Sequence, residues 1–225
     1  MEVSRPGKSP ATSDGVPAGA GEPSRVLAGL VGVFILAAVL LIWVDDALPY
    51  LEFSEMAYGR FWDRFGLLLA HLIGGSLALF IGPFQLWSGL VQRRMRLHRW
   101  AGRLYVAGVA LAALSAFPLS LHTQSWTFGV ALSVGGVIWI VTTAAAVLAV
   151  LQRKFVAHRE WMVRSYIMTL AFVSFRLLLE VPAIERLGSE AEVSTTFGWL
   201  SWVGPLLAYE FIRQTRHDRL LQRMP

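Results

Sequence analysis

Apolar runs broken by short polar stretches recur six times along the chain, at 26–44, 65–91, 100–121, 126–151, 161–180 and 196–211. Runs of this length suit helices crossing about 30 Å of hydrocarbon at 1.5 Å per residue. Lipid supplies no water to satisfy peptide N–H and C=O groups, so the runs must be helical and not open strands. The pattern predicts an all-α polytopic membrane bundle of six transmembrane helices. Residues 1–25 contain Pro6, Pro10, Pro17 and Pro23 among Gly, Ser and charged residues and predict a disordered tail. The 26–44 run exceeds a signal-peptide core and lacks an evident cleavage site, which predicts a retained first span. The transmembrane domain is then 26–214, followed by a basic tail at 215–225.

Charge orients this bundle. Sixteen of the 20 Lys and Arg fall on one side: in the N-terminal tail, at Arg93 to Arg103, at Arg153 to Arg164, and at Arg213 to Arg223. By the positive-inside rule that side is cytoplasmic, so both termini are expected in the cytoplasm. Trp43, Tyr50, Trp62, Trp87, Trp100, Trp126, Trp161, Trp199 and Tyr209 fall near the ends of the runs, as an aromatic belt would. The pI near 10.1 belongs to this topology, because the basic residues flank apolar runs and do not form a nucleic-acid patch. With no cysteine, thiolate metal sites and disulfides are excluded.

One polar signature occurs twice. His98-Arg99-Trp100-Ala101-Gly102-Arg103-Leu104-Tyr105 returns as His158-Arg159-Glu160-Trp161-Met162-Val163-Arg164-Ser165-Tyr166, with one extra residue before the second Trp. Each copy opens an apolar run. In the second run His71, Gly75, Ala78, Gly82, Gln85 and Gly89 share one helical face, suited to close helix packing or to a flat ring beneath a histidine. Gly82-Pro83 marks a kink whose freed carbonyl a neighbour must satisfy. In the fifth run Ser165, Thr169, Phe172, Arg176 and Glu180 line up. Arg176 and Glu180, four apart, form an intramembrane polar pair.

Depth sorts the histidines into two layers. His71 and His122 lie toward the outer side, and His98 and His158 toward the cytoplasmic side. Each layer can supply imidazole ligands to the iron of haem b, so haem-mediated electron transfer across the membrane is the leading functional expectation. The motifs HLIGGSLALFIGPFQ around His71, LHRWAGRLY around His98 and AHREWMVRSY around His158, with Trp139-Ile140-Val141-Thr142-Thr143 between them, resemble the bacterial membrane family catalogued as domain of unknown function 2306. The resemblance covers 65–180 and implies a multispan protein of a bacterial inner membrane, with no activity attached. A looser resemblance is to diheme transmembrane b-type cytochromes, although three of the four histidines here sit at run ends.

Two other classes remain open. In the first, Arg99, Arg103, Arg159 and Arg164, with the hydroxyls of Tyr105 and Tyr166, hold a lipid headgroup, a quinone or another anion for binding or transport. In the second, the chain is a structural or assembly subunit. Its partners are the lipid bilayer and a quinone or other redox partner, without nucleic acid. The chain has no phosphate loop, no His-Glu-x-x-His motif and no nucleophile elbow. His217, in the basic tail, reads as solvated.

Overall fold

The computed structural model describes residues 22–222, so the 1–21 part of the expected tail and Arg223 lie outside the described residues. All regular structure among them is helical: α1 (Glu22–Asp46), α2 (Glu55–Tyr58), α3 (Phe65–Val91), α4 (Met95–Ser120), α5 (Trp126–Leu151), α6 (Phe155–Thr169), α7 (Ala171–Leu179) and α8 (Glu190–Leu221), with short 3₁₀ turns between α1 and α3 and before α8. The chain divides into two units at Leu40. The first contains the initial part of α1, which begins at Glu22, a few residues before the expected span. Pro23 is tolerated there because the first helical turn needs no N–H from it.

The second unit, from Leu41, is built on two helical hairpins. The pairs α3–α4, α4–α5, α5–α6 and α3–α6 all pack together, closing a ring of four helices in which α4 and α6 stand on one diagonal. Chain direction brings the C-terminal ends of α3 and α5 and the N-terminal ends of α4 and α6 to one end of the ring. Both motif copies lie at that end. Helix α8 packs outside the ring on α5, α6 and α7. Only Leu170 separates α6 from α7, and its N–H still bonds to Tyr166 O at 3.0 Å, so the two make one nearly continuous rod.

Five segments are long and apolar enough to cross a membrane: Gly32–Glu52, Glu55–Val91, Met95–Ser120, Trp126–Leu151 and Phe155–Leu179. Helix α8 has length enough at 32 residues, but Ser, Thr, Trp, Tyr and Glu210 dilute its apolar stretch.

The start of α8 is set by Ser189 and Glu192. Ser189 N–H and Oγ–H donate to the Glu192 carboxylate at 2.8 and 2.6 Å, and Glu192 N–H returns a bond to Ser189 Oγ at 3.4 Å. This is a capping box. The Ser189 hydroxyl and then its N–H hold the Glu192 carboxyl below the ordinary 4.5 of a glutamate. A depressed folded value means the contribution to stability is present above the unfolded value and is lost as pH falls through the folded one. Glu192→Gln should therefore flatten the acid limb of a thermal-unfolding profile recorded between neutral pH and about pH 3. An unchanged limb would mean the box does not stabilise α8.

Candidate functional site

The two hairpins interlock through the tyrosines of the repeated motif. Tyr105, on α4, is fully buried, and its hydroxyl meets Ser165 Oγ at 2.8 Å and Thr169 Oγ1 at 2.9 Å on α6. Ser165 Oγ lies 2.7 Å from Thr143 Oγ1, and Trp139 Nε1–H donates to Thr169 Oγ1 at 3.1 Å. Thr169 and Thr143 spend their own hydroxyl hydrogens on the carbonyls of Ser165 and Trp139, at 3.0 and 2.7 Å. The network therefore ends in backbone acceptors. Every member is satisfied, as buried polar groups in an apolar ring must be.

Tyr166 makes the reciprocal crossing. A proline at position 83 cannot donate to the carbonyl four residues back, which leaves Leu79 O without its helical partner. Tyr166 O–H donates to that oxygen at 3.2 Å. Gly82 makes the room, because a Cβ there would overlap the Tyr166 ring. The Gly82-Pro83 pair is thus the socket for the second motif's tyrosine. It answers the kink expected from the sequence with a specific donor.

The remaining small residues are also taken up by packing. Gly74 and Gly108 bring the backbones of α3 and α4 together, and a Cβ on Gly74 would stand 2.6 Å from both Ala112 N and Gly108 O. Gly89 abuts the His98 ring, and Gln85 Nε2–H donates to His98 O at 2.8 Å. Of the predicted face, Gly82 carries the Tyr166 ring and Gly89 the His98 ring, while nothing stands within 4 Å of a Cβ at Gly75.

Each histidine has a bonded Nδ1. His71 Nδ1 meets Ala112 O at 2.9 Å, His122 Nδ1 meets Pro118 O at 2.9 Å, and His158 Nδ1 meets Ala146 O at 2.9 Å. A carbonyl only accepts, so in these neutral rings the hydrogen is on Nδ1. His98 Nδ1 lies 2.8 Å from Ser88 Oγ, and the Ser88 hydroxyl already donates to Phe84 O at 2.6 Å. Ser88 is therefore the acceptor, and His98 has the same tautomer. All four Nε2 atoms carry a lone pair. A histidine that binds a metal through Nε2 is held by such a bond from Nδ1.

Their positions differ. His98 and His158 lie in the first turns of the diagonal helices α4 and α6, at the same end of the ring. The outer layer is not assembled in this way. His71 bonds at the level of Ala112, whereas His122 lies ten residues further along α4, about 15 Å at helical rise, and bonds only within its own turn. Among the described residues no cluster of three or more His, Cys, Asp or Glu could hold a metal ion.

The motif arginines separate as well. Arg164 is buried, at 8% exposure, donates from Nε to Glu210 Oε1 at 2.6 Å and lies 3.8 Å from Glu160. Its guanidinium also sits over the rings of Trp161 and Tyr209, at 4.6 and 5.2 Å. Arg213 joins the same carboxylates, Glu160 at 3.4 Å and Glu210 at 3.1 Å. Arg99, Arg103 and Arg159 are exposed, and none is in an ion pair among the described residues. Tyr105 and Tyr166 point into the ring, away from any ligand at the rim. Arg176 takes Asp46 as its partner at 3.1 Å, while Glu180 caps the end of α7 and faces outward.

The family described as Predicted membrane protein (DUF2306) matches residues 68–213, well over half of the chain. The chain belongs to this family. The DUF2306 match confirms the resemblance carried by the three histidine motifs and runs beyond 180 to include most of α8. This DUF2306 protein is therefore a multi-pass membrane protein. No curated protein and no solved structure matches the chain, and the similarity to diheme cytochromes finds no support there.

Several residues of the site carry weak sequence signals. Ser88, Glu210 and Asp46 sit in no motif, and only contact between helices reveals them. Glu160 had a visible signal: it is the extra residue of the second copy, and it supplies one of the two acids around Arg164.

Proposed function

We propose that this DUF2306 protein binds one b-type haem at the motif end of the ring, where Nε2 of His98 and of His158 would hold its iron. The reading carries six spans with α8 as the sixth, and a bacterial inner membrane in which both termini and the motif end face the cytoplasm. The observation that supports it is the arrangement at the motif end: two imidazoles in the first turns of diagonal helices, each with Nδ1 in a hydrogen bond that leaves Nε2 available to iron. When bound, haem b would supply one-electron transfer with a quinone or another redox partner. The chain's own residues hold and orient the ligands. Ser88 and Ala146 O fix the rings, and Gln85 ties the His98 backbone to α3. Arg99 and Arg159 follow the two histidines directly, and they are free to meet the haem carboxylates.

The same free arginines favour a second reading, the non-redox binding of an anionic headgroup. A reduced-minus-oxidised spectrum of protein purified in mild detergent from haem-supplied cells separates the two. The expected result is a b-type signal near one haem per chain, removed by His98→Ala or His158→Ala and kept by His122→Ala. A colourless wild type overturns the haem reading.

A further inference from the structure

The outward half of the repeated motif does different work in the two copies. In the second, Trp161 and Arg164 form a clamp three residues apart with the guanidinium 4.6 Å from the ring, and α8 fills it with Tyr209 and Glu210. In the first, Trp100 and Arg103 have the same spacing and nearly the same geometry, 4.9 Å from guanidinium to ring. Here nothing fills it. Trp100 is 64% exposed and Arg103 is exposed, and Arg103 is in no ion pair among the described residues.

The two arginines sit at equivalent depth. Arg103 is eight residues into α4 and Arg164 nine into α6, about 12 and 14 Å from the helix starts. Each lies three residues inside its expected span, which starts at 100 or 161, and a cation there gains from a counter-charge, which is how Arg164 is stabilised. Arg103 finds none nearby in sequence, since the chain has no Asp or Glu between Asp63 and Glu160. Glu160 and Glu210 are committed to Arg164 and Arg213, and Asp46 to Arg176. Leu97 and Leu104 beside the clamp are also half or more exposed, so it lies on an apolar face.

We propose that the Trp100–Arg103 edge of α4 docks a membrane helix of a partner protein that carries a carboxylate, preceded by an aromatic residue, at the level of the motif end. Charge complementarity selects this partner, and α8 on α6 is its template. A second copy of this chain meeting face to face does not fit, because it would set Arg103 against Arg103.

The test uses a peptide of residues 196–213, fluorescently labelled, added to the full-length protein in nanodiscs of neutral phosphatidylcholine. The covalently attached α8 keeps its own place on α6, so added peptide is directed to α4. Saturable binding is expected, weakened at least tenfold by Arg103→Gln in the protein or by Glu210→Gln in the peptide. Arg103→Glu combined with Glu210→Arg in the peptide should restore it. Arg216→Gln should leave it unchanged. Binding indifferent to Arg103 overturns the proposal. So does the finding that Arg103 instead governs retention of anionic phospholipid, read by native mass spectrometry, with no effect on the peptide.

Discussion

Gly74→Ala should destabilise the protein by roughly 3 kcal/mol, at the upper end of what overpacking costs, while Gly75→Ala should be neutral or slightly stabilising. The two positions are adjacent on one helix and differ in what stands beside them. The added Cβ at 74 would lie 2.6 Å from Ala112 N and from Gly108 O, both backbone atoms of α4, and no rotamer change can move them aside. At 75 nothing lies within 4 Å, so the substitution mainly adds helix propensity, worth up to about 1 kcal/mol. Gly108 reciprocates with its own close approach to Gly74 O and Ala78 N, so α3 and α4 meet through small residues on both sides, as membrane helices do when they pack by backbone proximity. Thermal unfolding of detergent-solubilised protein, followed by size-exclusion fluorescence, should show a large fall in Tm for the first variant alone. Equal Tm values would mean that α3 and α4 do not approach this closely.

The second large effect is expected at the Arg164 latch, and its sign depends on which partner is removed. Glu160→Gln with Glu210→Gln leaves a guanidinium at 8% exposure without a counter-charge. Breaking a fully buried pair in this way costs about 3–5 kcal/mol. Both carboxylates here are more than a third exposed, so roughly 2 kcal/mol is the appropriate expectation. Arg164→Met removes the charge itself and keeps much of the volume against Trp161 and Tyr209, and should cost less than the double variant. Thermal unfolding gives the order of the three proteins. Limited proteolysis near Arg213 gives its cause, since loss of the latch should expose the end of α8 first. The order reversed, with Arg164→Met the least stable, would show that packing of the arginine stem and not its charge holds α8.

The helical class and the positions of five long apolar segments could be read along the chain. Span length, the absence of acids around the arginines of the first motif copy and the Gly82-Pro83 pair are local properties. The hydrocarbon solvent turns such local properties into strong constraints, because a backbone carbonyl freed by proline has to find a donor somewhere. The donor's identity is not local. Tyr166 stands 87 residues from Leu79 and reaches it only because α6 closes the ring against α3.

Pairing of polar groups shows the same division. The i,i+4 spacing pointed Arg176 to Glu180, but the end of α7 turns Glu180 outward and Asp46 takes its place. Spacing says which side chains share a helix face and says nothing about what another helix brings to that face. The glycine stripe likewise suited packing or a flat ring, with packing favoured. Tyr166 and His98 pack on Gly82 and Gly89, and Gly75 stands open.

For the histidines, the chain alone supplied four imidazoles and their rough depths. Tertiary structure set His98 and His158 in the first turns of two diagonal helices at one end of the ring and left His71 and His122 at different levels, because only the ring closure brings those helix starts to one end. It also decided the tautomers, through a serine and three carbonyls. Sequence thus determined which chemistry this membrane protein possesses, through residue type, spacing and the cost of polar groups in lipid. The packing of the helices determined which of those groups meet, since the distance between side chains far apart in the chain is a property of the closed ring.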